Sequence, residues 1–142
     1  MLLTTETRYR LLLVEDDDVD AMSVQRACQQ SKILCSLERA SNGREALERL
    51  RSAQAGTPSG IQRLILLDLD MPEMGGLEFL RTLRADPQLQ SLPVIVLTAS
   101  ESDQDRLEAG TLKIAAYLRK PVSQDSLLKA LGQFTRCSRS VG

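Results

Sequence analysis

Short, uninterrupted apolar runs alternate along this chain with longer stretches in which apolar residues recur every three or four positions. Leu11-Leu12-Leu13-Val14, Ile65-Leu66-Leu67 and Val94-Ile95-Val96-Leu97 are too short for helices. Their lack of polar alternation is that of strands buried on both faces. Cys35 to Ala40 and Ala115 to Leu118 predict two weaker strands. Helices are predicted between them at about Val19 to Ser31, Arg44 to Ala53, Leu77 to Ala85, Ser102 to Leu112 and Gln124 to Phe134. Leu77, Leu80 and Leu83 form a core stripe on the third helix, and Leu127, Leu131 and Phe134 another on the last, where Ser123 is placed to cap the first turn. Strand and helix in strict alternation predict repeated βα units around a parallel sheet.

Turn chemistry separates the units. Asn42-Gly43 precedes the second helix, Ala55 to Gly60 is a Gly- and Pro-containing connection, and Asp86-Pro87 ends the third helix, because the residue before proline is pushed out of the α region. At 142 residues there is room for one domain, expected over 10–135, with short extensions at 1–9 and 136–142. Only eight residues follow Phe134, so no output domain is expected, and Arg136 to Arg139 reads as a frayed end.

Composition narrows the function classes. Eighteen basic against nineteen acidic residues give no electrostatic case for nucleic-acid binding. With no histidine and three scattered cysteines, Cys28, Cys35 and Cys137, zinc is disfavoured and reduced thiols are expected. No stretch approaches the roughly 18 consecutive apolar residues of a membrane span, so a cytoplasmic protein is expected.

The chemistry gathers where the apolar runs stop. Glu15 and Asp16 follow the first strand, Asp68 the third, Thr98 the fourth and Lys120 the fifth. In an open parallel sheet these points share the edge where ligands bind. Two carboxylates about 4 Å apart repel by roughly 4 kcal/mol at an effective dielectric of about 20, so Glu15, Asp16 and Asp68 against Lys120 call for a cation. All-oxygen ligands favour Mg²⁺ or Mn²⁺. With charge offset, the site suits a phosphoryl group, with a carboxylate as nucleophile and the Thr98 hydroxyl as donor. Asp17, Asp18 and Asp20 are read as solvated residues that favour the positive end of the first helix.

Leu12-Leu13-Val14-Glu15-Asp16, Leu66-Leu67-Asp68-Leu69-Asp70-Met71-Pro72, Pro93 to Ala99 and Tyr117-Leu118-Arg119-Lys120-Pro121 resemble, in order and spacing, the receiver domains of two-component response regulators. Gly75-Gly76-Leu77-Glu78-Phe79-Leu80 is similar too, and the resemblance runs from about Arg10 to Phe134. It implies a flavodoxin-like, doubly wound (βα)5 α/β fold with strand order 2-1-3-4-5. It also implies phosphorylation of Asp68 and Mg²⁺ (or Mn²⁺) binding by Asp16, Asp68 and the Asp70 carbonyl, with Glu15 acting partly through water. Thr98 and Lys120 would contact the phosphoryl group, Tyr117 would turn as Thr98 moves, and Asp70 and Ser100 would tune phosphoryl lifetime. A cis Lys120–Pro121 bond is part of the pattern. The implied partner is a sensor histidine kinase, in stand-alone relatives one of phytochrome type, and a homodimer is left open. The chain departs from the family at Leu112-Lys113-Ile114, where glycine is common, and Gly110 falls inside the fourth helical stretch.

Two other readings stay in view. Asp68-Leu69-Asp70 is similar to the aspartate pair of haloacid-dehalogenase-type phosphatases, but Pro72 stands where their hydroxyl residue would. A degenerate receiver acting only as a binding module would lack some of the site residues, and all are present. A nucleotide fold is disfavoured because neither G-x-x-x-x-G-K-S/T nor G-x-G-x-x-G occurs. The reading is therefore a phosphoacceptor that promotes its own phosphorylation and dephosphorylation, and not an enzyme with a separate substrate.

Overall fold

The computed structural model describes residues 8–30, 35–52, 61–69, 76–98 and 113–139. The strands are β1 (Arg8–Val14), β2 (Cys35–Ala40), β3 (Ile61–Asp68), β4 (Val94–Thr98) and β5 (Ala116–Arg119). Four helices are described: α1 (Asp18–Gln30), α2 (Gly43–Ser52), α3 (Gly76–Ala85) and α4 (Gln124–Arg139). All neighbouring strands pair in parallel, in the order β2-β1-β3-β4-β5. The expected strand order is thus the observed one. The predicted helix from Ser102 to Leu112 lies outside the described residues.

The apolar runs lack alternation because each strand feeds two cores. Leu11, Leu13, Leu64, Leu66, Ile95 and Leu97 face α1 and α4, packing with Val24, Ala27, Leu127 and Leu131. Leu12, Val14, Ile65, Leu67, Val94 and Val96 face α2 and α3, packing with Leu47, Leu50, Phe79 and Leu83. At about 25 cal/mol per Å² of apolar surface removed from water, such burial is the main force holding both layers. The third helix keeps its predicted stripe and widens it: Leu80 and Leu83 are buried, Leu77 is partly buried against the same core, and Phe79 is buried beside them.

Polar residues set the helix ends. The Asp17 carboxylate accepts from the backbone N–H of Val19 at 2.8 Å and of Asp20 at 3.1 Å, capping α1. Asn42 Oδ1 accepts from the Glu45 N–H at 2.9 Å, and Glu45 in return accepts from the Ser41 N–H, a reciprocal cap on α2. Ser123 Oγ accepts from the Ser126 N–H at 3.1 Å and caps α4 as expected. That last helix runs on to Arg139, so the stretch from Arg136 to Arg139 is helical where a frayed end was expected.

Candidate functional site

Parallel pairing brings the carboxyl ends of β1, β3, β4 and β5 to one edge of the sheet. Asp68 is the last residue of β3 and is paired in register with Leu97, which places Thr98 one residue further on at the end of β4. Glu15 extends the β1 line: its N–H donates to the Ala40 carbonyl at 3.0 Å, and its own carbonyl accepts from Arg39 Nε at 3.0 Å. Lys120 follows β5 and donates its backbone N–H to the Thr98 carbonyl at 3.0 Å, so the lysine is tied to the end of β4. The Lys120–Pro121 peptide bond is cis.

One glycine sets how closely the next element approaches. A Cβ at Gly76, the first residue of α3, would lie 2.6 Å from the Asp68 carbonyl oxygen and 2.6 Å from the Leu69 Cα. Only a residue without a side chain lets α3 begin this near the backbone of the candidate phosphoacceptor.

The side chains form a charged cluster that is largely buried. Glu15 and Asp68 are buried and Thr98 nearly so, while Asp16 is exposed. Lys120 Nζ lies 2.8 Å from Glu15 Oε1, 2.9 Å from Asp20 Oδ2 and 3.3 Å from Asp68 Oδ1. Burial of Glu15, then its hydrogen bond and charge contact with Asp68, push its carboxyl up to about 7, with Lys120 acting in the opposite sense. Burial by itself would lower the Lys120 ammonium, but hydrogen bonds to Asp20 and Glu15 and the charge of Asp68 hold it above its ordinary value. Lysine therefore stays charged.

One carboxylate oxygen from each of Glu15, Asp16 and Asp68 lies within 4.8 Å of the other two. Glu15 Oε1 is buried with the Lys120 ammonium 2.8 Å away, one positive charge against three acids. Such a crowded, all-oxygen group fits a hard divalent cation, which takes oxygen ligands and would offset the crowding.

The expected residues Glu15, Asp16, Asp68, Thr98 and Lys120 thus converge. Tyr117 also has a place: Val96 pairs with Tyr117 in register, and side chains alternate along a strand, so Thr98 and Tyr117 share one face as diagonal neighbours. Asp70 and Ser100 lie outside the described residues. Asp17 and Asp18 are exposed at the start of α1, as read from the sequence, with Asp17 capping the helix and Asp18 pairing with Arg39 at 2.8 Å. The reading of Asp20 as solvated needs correction, because it is half-buried and reaches the lysine. Asp20 lies in the first turn of α1, and no local spacing in the sequence singles it out from the neighbouring acids.

Residues 11–132 match the family described as response regulator receiver domain. A curated relative, the probable methanogenesis regulatory protein FilR2 of Methanothrix harundinacea, is 35% identical over 129 residues, covering 91% of this chain and 83% of that protein. Among solved structures, the Mn²⁺-bound form of response regulator Rcp1 is 34% identical with a TM-score of 0.67, covering 84% of this chain and 86% of that one. The phosphorylated cyanobacterial phytochrome response regulator RcpA is 28% identical with a TM-score of 0.72, covering 96% and 97%.

Proposed function

Because the chain belongs to the response regulator receiver family of two-component signalling, we infer that Asp68 is its phosphoacceptor and that a sensor histidine kinase is the donor. The observation that carries this reading is the meeting of Asp68, Glu15, Asp16 and Lys120 at one sheet edge, three acids and an ammonium drawn from three strand ends. A carboxylate oxygen of Asp68 attacks phosphorus; the bond from phosphorus to the donor nitrogen breaks, and the departing imidazole takes up a proton. Lys120 and the Thr98 hydroxyl meet the charge on the transferred oxygens. Glu15, Asp16, Asp68 and the Asp70 carbonyl would hold Mg²⁺ or Mn²⁺, which when bound supplies charge neutralisation for the phosphoryl oxygens. The Mn²⁺-bound Rcp1 structure supports a divalent ion in this family. Asp70 and Ser100, two residues beyond Asp68 and Thr98, tune how long the phosphoryl group survives.

The donor needs a surface beside the acceptor. Val19 and Met22 on α1 are 71% and 54% exposed, the large apolar residues left uncovered among those described. They stand next to Asp16 and Asp20 and suit the apolar side of a partner helix. A phytochrome-type kinase is the partner this reading favours, supported by the phytochrome response regulator among the similar structures. No described helix is long and apolar enough to cross a membrane, and a cytoplasmic site of action belongs to the same reading. Membership of the receiver family favours a phosphoacceptor regulator over a haloacid-dehalogenase-type phosphatase.

The test is incubation with acetyl phosphate and Mg²⁺ followed by intact-mass measurement. The parent chain gains one phosphoryl group and Asp68→Asn gains none, since the isosteric amide is no nucleophile. Equal labelling of Asp68→Asn, or many turnovers of an aryl phosphate, would overturn the assignment.

A further inference from the structure

Lys120 has more carboxylate partners than the phosphoacceptor reading requires. Its ammonium has three N–H donors and no acceptor, and it sits among Glu15, Asp20 and Asp68 at 2.8, 2.9 and 3.3 Å. Glu15 and Asp68 also belong to the acidic group able to hold a cation. A cation seated there would draw on those oxygens and repel the ammonium from them. Asp20 stands apart from that conflict. It comes from the first turn of α1, it is absent from the cation-holding group, and its bond to Nζ is a directed hydrogen bond. Its own turn is held by the Asp17 cap through the Asp20 N–H. The lysine side chain is 9% exposed and that of Asp20 33%, so water screens this pair only in part.

We propose that Asp20 is the positioning residue for Lys120, tethering the ammonium beside Asp68 whether or not a cation is bound. The inference rests on the phosphoacceptor reading above and adds a residue to it. Without the Asp20 charge, the ammonium can pair only with Glu15 and Asp68, where it competes with the cation. Cation binding then weakens by more than the loss of one nearby charge explains. Phosphoryl transfer slows as well, because the lysine has lost the point that fixes it.

Two measurements on the full chain decide this, with Asp20→Asn, Asp20→Glu, Lys120→Met and the double variant Asp20→Asn/Lys120→Met. In cation-free protein, solvent exchange of the Lys120 ammonium is followed by ¹H–¹⁵N correlation. Asp20→Asn accelerates it several-fold, and Asp20→Glu restores part of the protection. Unchanged exchange in folded Asp20→Asn overturns the tether. Mg²⁺ affinity is then measured by calorimetry as a double-mutant cycle. Asp20→Asn weakens binding about three- to tenfold with Lys120 present and less than about twofold in Lys120→Met, since the coupling requires the lysine. Equal losses in both backgrounds reduce Asp20 to a background charge and overturn the proposal. A parent chain that binds no Mg²⁺ sinks the cation assignment of the preceding section, and the ammonium exchange still decides the tether.

Discussion

Gly76 and Lys113 are opposite cases: at Gly76 the residue type is the one the geometry requires, and at Lys113 it is not. At Gly76 a methyl group would fall 2.6 Å from both the Asp68 carbonyl oxygen and the Leu69 Cα, neither of which can swing aside as a flexible side chain could. Gly76→Ala is expected to lose about 1 to 3 kcal/mol of stability by overpacking, read from urea denaturation, and to slow acetyl phosphate labelling because Asp68 must shift. A variant as stable and as fast as the parent would show that α3 retreats freely. Lys113 is the reverse case, a non-glycine residue at φ 61°. A Cβ in the left-handed region is disfavoured by about 1 kcal/mol or more. Lys113→Gly removes that strain and adds freedom to the unfolded chain, and a net gain of about 0.5 kcal/mol is expected. A fall in the denaturation midpoint would count against it.

Among the elements, β4 is held at its start by a residue from α3. The Arg84 guanidinium donates to the carbonyls of Gln90 at 2.8 Å, Leu92 at 2.7 Å and Lys113 at 2.9 Å. One side chain thereby joins the end of α3, the entry to β4 and the approach to β5. Burial draws the Arg84 pKa down, yet a guanidinium stays charged. Arg84→Met keeps the packing of the stem and removes the donors, leaving three carbonyls to water. Since these bonds are only partly buried, a loss of about 1 to 2 kcal/mol is expected. Hydrogen exchange should rise first in β4 and β5, and uniform change across the sheet would argue against a local clasp. Both strands carry site residues at their far ends, so phosphoryl transfer should fall with them.

For the whole molecule, the site is a local excess of negative charge held by two apolar layers. Lys120 meets the carboxylates of Glu15, Asp20 and Asp68, and Asp16 adds a fourth acid to the group, a larger imbalance than the three acids at the strand ends imply. A cation that binds only the folded chain stabilises it by mass action, about 2.7 kcal/mol at a hundred times its Kd. Millimolar Mg²⁺ in low-salt buffer should therefore raise Tm, and Asp16→Asn should blunt the rise. A Tm indifferent to Mg²⁺ in the parent would remove the cation site. The same geometry suggests how a phosphoryl group would be felt at a distance. Thr98 and Tyr117 share a face of the sheet, so an inward pull on the hydroxyl opens space for the ring. A hydrogen bond to a charged group is worth about 1.5 to 3 kcal/mol, which shifts a two-state population roughly 10- to 150-fold. Thr98→Ala should accept phosphate yet lose most of the phosphorylation-dependent change in sedimentation or kinase affinity. A full response in both assays would route the signal elsewhere.

The sheet was legible in the sequence because burial on two faces leaves an unmistakable trace: Leu11 to Val14, Ile65 to Leu67 and Val94 to Leu97 carry no polar alternation. Their neighbouring polar residues, Glu15, Asp68, Thr98 and Lys120, were legible for the same reason, since a parallel sheet brings its carboxyl ends to one edge. The width of the α3 stripe was less so: Leu77, Leu80 and Leu83 were legible by spacing, while the burial of Phe79 beside them depends on packing against the sheet. The role of Asp20 was decided by tertiary structure alone. Acids clustered after a strand look alike in sequence, and each could cap a helix, meet solvent or pair with a distant cation. Asp17, Asp18 and Asp20 do different things because α1 leaves β1 at one angle, which turns Asp20 toward a lysine a hundred positions away and Asp18 toward Arg39. Charge pairing across such a separation depends on where the backbone brings the groups, and no local pattern of residues encodes it.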